Sequence, residues 1–325
     1  MKRFQNVGGG SLKLSPQNLR RIFKNLVLGQ TAHLGFTIAE LLITLGIIGI
    51  VAVLLLPRAF DYIEEQQFDA ARKVVLKNVG EAVRLVSLNT DIRSANDAED
   101  FVENYLRKEL KILKTCNNEK LRECGIETKE NGIYTIAETH TTMPTTINDL
   151  ATNMSKGTYI DPSAESYGFV LSNGYSANLF YNKNCISDNK DSAHYVQDMM
   201  CVNIIYDLNG LSSPNQVGKD IGFVTIFYPG IEMRAVSPII YNNNTNGATF
   251  YTVSKLCANI NSKLKGPDKE EAQAIYINNF ALGGAVASYI TTTSADLDYA
   301  WTMSASSGFL NKYEKNRGSW FRCVK

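Results

Sequence analysis

The sequence predicts an α+β fold in which a long N-terminal helix, transmembrane then amphipathic, packs on an antiparallel-sheet globular head. Three observations carry that expectation. Residues 36–56 read FTIAELLITLGIIGIVAVLLL, 21 residues with a single charge, long enough as a helix to span the roughly 30 Å hydrocarbon core of a bilayer. Beyond it, Phe60, Ile63, Phe68, Ala71, Val75, Ala82 and Val86 recur at spacings near three or four as far as Leu88, the stripe of a helix with one face on a core. Later segments are short apolar runs bounded by Gly, Asn and Asp, which is strand patterning.

Charge is segregated along the 325 residues. The formal net charge is +1, yet the first 35 residues hold Lys2, Arg3, Lys13, Arg20, Arg21 and Lys24 and no acid, leaving 27 bases against 32 acids downstream. A mildly acidic body offers nothing to phosphate backbones, so no nucleic-acid partner is expected from charge. Basic residues ahead of an apolar helix keep the N-terminus cytoplasmic and send the remainder outward. A secretory signal is cut after its apolar region; here the small residue suited to cleavage, Gly35, precedes it. Cutting there would leave the helix attached.

Glu40 is the anomaly in that helix. A carboxylate inside an apolar span costs a few kcal/mol and needs a partner, and no cationic side chain lies within one turn. The α-amine of a neighbouring copy, freed by cleavage after Gly35, would supply one. Pro57 removes a backbone donor and should kink or locally melt the helix.

Gly35-Phe36-Thr37-Ile38-Ala39-Glu40 with the following apolar run resembles the prepilin peptidase recognition motif of type IV pilins and type II secretion pseudopilins. Glu40 is the fifth residue counted from Phe36 and Pro57 the twenty-second, where that family places its glutamate and, in many members, a proline. The resemblance covers residues 30–90. It implies removal of residues 1–35, N-methylation of Phe36, and assembly through the helix into a filament. The partners it implies are other pilin-like subunits, the prepilin peptidase, an inner-membrane assembly platform and membrane lipid. It also implies a single-pass protein of the bacterial inner membrane that passes into an extracytoplasmic or cell-surface filament.

The expected division is a leader (1–35), a transmembrane helix (36–56), its amphipathic extension (57–88), a pilin-like head (89–252) and a C-terminal segment (253–325). Residues 89–96 read as a loop, and Asp97 as the cap of a helix through Phe101, Tyr105 and Leu110. Residues 167–181 read as a hairpin with a two-residue turn at Asn173-Gly174. Strands follow at 202–206 and 222–228. Within 253–325 a short helix around 254–264 carries Cys257. The ending Trp320-Phe-Arg-Cys323-Val-Lys325 resembles the close of C-type-lectin-like modules, which implies ligand binding. Trp301 and Trp320 otherwise read as core residues.

Six cysteines, all downstream of the helix and none in C-x-x-C spacing, suit disulfides in an oxidising compartment. Neighbours in the chain suggest Cys116–Cys124, Cys185–Cys201 and Cys257–Cys323. Between two strands, Asp207-Leu-Asn209-Gly210 is followed by Pro214-Asn215 and Gly218-Lys-Asp220. The loop resembles the calcium loop of major pseudopilins, so Asp207, Asn209, Asn215 and Asp220 are candidate Ca2+ ligands, with the two aspartates sharing the ion. The same residue types also simply make turns.

Nothing points to an enzyme. His140 and His194 lie outside metal-ligand spacings, and neither G-x-S-x-G nor a phosphate loop occurs. The expected function is a structural filament subunit, minor or at the tip because the head is large. The alternative is a displayed surface-binding protein whose C-terminal segment recognises a ligand.

Overall fold

The computed structural model describes residues 37–126, 133–134, 140–141, 143–146, 150, 163–183, 200–212, 214–227, 234–278, 288–304 and 310–325. Gly35, Phe36, Cys185 and His194 lie outside them. The chain divides into two compact units at Tyr62 and Ile63, and one helix, α1 (Ile38–Asn89), runs through both.

In the first unit α1 is uncovered and, from Ile38 to Leu56, apolar apart from Glu40. It is long and apolar enough to cross a membrane, and none of its most hydropathic window is buried. The helix continues unbroken through Pro57.

The second unit is built on a six-stranded antiparallel sheet. Its strands are β1 (Ile112–Cys116), β4 (Tyr167–Leu171), β5 (Ser176–Tyr181), β6 (Met200–Asp207), β7 (Ile221–Phe227) and β8 (Arg234–Val236), in that spatial order. The small ribbon β2 (Ile133–Tyr134) and β3 (His140–Thr141) stands apart from it. β5 and β6 are buried at every position rather than alternately, because both faces of this sheet are covered. On one face, Val75, Val79, Ala82, Val83 and Val86 of α1 meet Leu179, Ile204 and Val224. On the other, Phe180, Ile205, Phe223 and Phe227 share a core with Ala272, Ala274 and Ile275. Those last three belong to α3 (Lys269–Ile277), which a capping box between Asp268 and Glu271 starts.

The amphipathic stripe of α1 therefore begins later than its spacing suggests. Phe68 and Ala71 are partly buried against the core, whereas Phe60 and Ile63 are 64% and 50% exposed. Periodicity continues past the point where there is anything to pack on.

A second sheet has the order β12 (Leu310–Glu314), β11 (Tyr299–Met303), β10 (Tyr289–Ser294), β13 (Ser319–Val324) and β9 (Ile240–Ala248). All its pairings are antiparallel except β10 with β13. Ile290 and Phe321 pack with Val253 and Cys257 of α2 (Val253–Ile260), the expected helix. Polar bonds tie α3 to the first sheet. Asn203 Nδ2 donates to Asn278 Oδ1 (2.9 Å) and Thr225 Oγ1 to Asn203 Oδ1 (2.6 Å), all three residues fully buried. Lys325 Nζ donates to Glu65 Oε1 (3.0 Å) and to Asp69 Oδ2 on α1.

Cys116–Cys124 and Cys257–Cys323 are bonded as expected. Cys201 is also in a disulfide; its expected partner, Cys185, lies outside the described residues. Asp97 caps its helical segment by accepting from Asp100 N at 2.8 Å, but the segment continues as a π turn (Phe101–Tyr105) and a 3-10 turn (Leu106–Lys108). The hairpin between β4 and β5 has a three-residue loop rather than two. Gly174 N donates to Leu171 O and Leu171 N to Tyr175 O, each at 2.9 Å, with Gly174 at φ 86° in the left-handed position such loops require. The tryptophans are not core residues: Trp320 is 36% exposed and Trp301 half-buried.

Two-sided burial makes the first sheet sensitive to lost volume. Leu179→Ala, at a site with no exposure, is expected to cost about 2–5 kcal/mol, read as a lowered urea midpoint for the second unit. Leu54→Ala, at a position 66% exposed, should leave that midpoint unchanged.

Candidate functional site

Two places concentrate the candidate residues. The first is the start of α1. Thr37 N and Thr37 Oγ1 both donate to Glu40 Oε2 at 2.9 Å, and Glu40 N donates to Thr37 Oγ1 at 3.2 Å. Leu41 N closes the first helical turn on Thr37 O. This reciprocal exchange is a capping box, with Thr37 as N-cap and Glu40 at the third helical position. The carboxylate therefore has a partner within its own chain. The T-x-x-E spacing that produces it is plain in the sequence and was available as a second explanation of Glu40. Pro57 lies 17 residues further along the same helix.

The second place is the loop joining β6 to β7. Its feet are Asp207 and Asp220, both buried, brought together because Asp207 stands opposite Ile221 in the ladder. Asp220 gathers the loop's amides: Oδ2 accepts from Asn215 N (2.7 Å), and Oδ1 accepts from Gln216 N (2.7 Å) and Ile221 N (3.1 Å). Asp207 Oδ1 accepts from Asn209 N at 3.0 Å, an Asx turn. The sharp corner is Gly210, at φ 64°. Its backbone lies against that of Gly125, where a Cβ would meet Gly210 Cα at 3.3 Å and Ser176 Oγ closer still, so a side chain at 125 would push the corner away.

Calcium takes six to eight oxygens from flexible loops. A carboxylate offers about four lone-pair sites, and Asp220 already uses three on amides. What remains in the loop is a cluster of carbonyls. The Asn215 side-chain amide lies 2.9 Å from Gly210 O and 3.1 Å from Ser212 O. With its nitrogen toward them, it donates to both and the loop closes without an ion. With the side chain turned the other way, its oxygen would join the two carbonyls as a third oxygen, a set that a cation would accept. The donor set is oxygen alone and suits calcium in kind. Residues able to hold the ion are Gly210, Ser212 and Asn215 through oxygens, with Asp207 and Asp220 shaping the loop around it. Gly210 and Ser212 enter through backbone carbonyls, which side-chain types in a sequence do not announce. Among the described residues, no group of three or more His, Cys, Asp or Glu side chains could hold a metal.

No protein-family model matches this chain, and no curated protein matches it.

The Asp220 bonds give a direct expectation. Asp220→Asn turns an oxygen acceptor into a donor facing backbone N–H groups and should cost about 1–3 kcal/mol. Faster amide hydrogen exchange at Asn215, Gln216 and Ile221 than elsewhere in the second unit would accompany that loss.

Proposed function

We propose that this chain is a structural subunit of a filament of the type IV pilin and type II secretion pseudopilin kind, made as a precursor and assembled through α1. The observation that carries the proposal is the helix's first half. From Ile38 to Leu56 it is apolar and uncovered, and it begins beside the Gly35–Phe36 step with Glu40 as its only charge. A span of that kind is stable in a bilayer or against copies of itself, not in water. The prepilin peptidase, an inner-membrane assembly platform and membrane lipid are the partners this reading requires. The basic leader places the N-terminus in the cytoplasm.

Glu40 has two roles to separate. As a capping residue it needs only an acceptor, which Gln supplies as well as Glu. As the partner of a neighbour's α-amine it needs its charge. Glu40→Ala should leave membrane insertion intact and reduce the sheared-filament yield at least about tenfold, the order expected for losing one low-dielectric charged contact. Glu40→Gln separates the roles: the reading expects the same loss as Glu40→Ala. Wild-type filament yield in the Gln variant would count against charge pairing.

The same reading includes calcium in the β6–β7 loop, with the ion bracing that loop. Millimolar calcium should raise the melting temperature of the wild-type chain by about 2–4 °C, and Asn215→Ala should abolish the rise. An unchanged melting temperature in the wild type would remove calcium from the account.

A further inference from the structure

A polar cleft of about 390 Å³ lies in the second unit and shares no lining residue with either place described above. That size is within the range of small-molecule sites. Its walls come from four stretches of the chain: the capped turn at 96–99, Asn117 and Asn118 beside the Cys116–Cys124 disulfide, and the strand ends at 164–167 and 181–183. We propose that it is a saccharide-binding site, taking a mono- or disaccharide through its hydroxyl groups.

The polar groups of the cleft are already held in place by bonds behind them. Asn96 Nδ2 donates to Asp100 Oδ2 at 3.0 Å, which turns the Asn96 oxygen away as an acceptor. Ser166 Oγ donates to Asn118 Oδ1 at 3.0 Å, which leaves the Asn118 nitrogen as a donor. Asp97 Oδ1 accepts from Asp100 N, leaving its second oxygen. The Tyr167 hydroxyl donates to Glu103 Oε1 at 3.1 Å and lies 3.5 Å from Glu99 Oε1, so its ring edge is fixed. The cleft thus combines donors and acceptors whose orientations are set from behind, the pre-organisation that reduces the cost of binding. Hydroxyls both donate and accept, and vicinal pairs of them match such a mixture.

Charge selects among ligand classes. Asp97, Glu99 and Glu165 line the cleft against one ammonium, Lys183, which disfavours phosphate and carboxylate ligands. A metal is not indicated, because these carboxylates do not gather into a metal-holding group. The lining also includes Ala98, Ala164, Tyr167 and Tyr181; both tyrosines are buried, so hydrogen bonds rather than stacking on an open ring carry recognition. The site does not depend on the filament reading, and it lies outside residues 253–325.

The test uses the full chain in nanodiscs of phospholipid alone, avoiding sugar-headed detergents. It is applied to immobilised mono- and disaccharides of glucose, galactose, mannose and their N-acetylated amino sugars. At least one should be retained and displaced by the same sugar in solution. Asn118→Ala and Glu165→Gln should each weaken that binding about tenfold. Asn118→Ala also removes the acceptor of Ser166 Oγ and lowers the melting temperature, whereas Glu165 is exposed, so Glu165→Gln keeps the wild-type melting temperature and carries the test. Trp320→Ala should bind as wild type. Retention of none of these sugars would overturn the proposal. So would loss with Trp320→Ala while Asn118→Ala and Glu165→Gln bind normally.

Discussion

Everything in this protein depends on α1 having two different surroundings. Val75, Val79, Ala82, Val83 and Val86 are buried against the first sheet, while Leu41, Ile48, Val53 and Leu54 are uncovered on the same helix. Each large aliphatic side chain left in water forgoes roughly 1.5–3 kcal/mol of burial. A run of them is tolerable only in lipid or against other apolar helices. The second half of α1 is thereby a component of a folded unit, and the first half needs a different solvent or further chains.

The sheet that receives α1 is closed from its other side by α3. That second covering explains why β5 and β6 are buried at every position, and why two buried polar side chains, Asn203 of β6 and Thr225 of β7, are bonded to Asn278 just after α3. A buried polar group left without a partner costs more than the bond returns, so this network fixes where α3 ends on the sheet. The terminal strand β13 joins the second sheet to α1 through Lys325, whose ammonium pKa is raised by Asp69 and Glu65 against an opposing burial penalty. The bond therefore persists until the medium is strongly alkaline.

Much of this was legible in the residues, and the rest was not for identifiable reasons. The extent of α1, the Asp97 cap and the strands around 202–206 and 222–228 follow from local patterns, and Cys116–Cys124 from short spacing; Cys257–Cys323, 66 residues apart, followed only from the order of the cysteines. The three-residue hairpin loop was missed because Asn-Gly suits both a two-residue turn and a left-handed Gly one place later. The parallel pairing of β10 with β13 is invisible locally, since register across 30 residues of chain leaves no mark on either strand. Phe60 and Ile63 kept helical spacing without a surface to meet. At the candidate sites the gap is chemical. The Thr37–Glu40 box was readable, whereas the carbonyls of Gly210 and Ser212 and the convergence of 96–99, 117–118 and 164–167 arise only from folding.

The central claim is that α1 is the first element of a processed, assembling subunit. Its most direct measurement is the N-terminal peptide, by mass spectrometry, of the protein extracted from the membrane of cells that carry a prepilin peptidase. The account predicts a chain beginning at Phe36 with a methylated α-amine. A mature membrane-extracted chain that still begins at Met1 would contradict it.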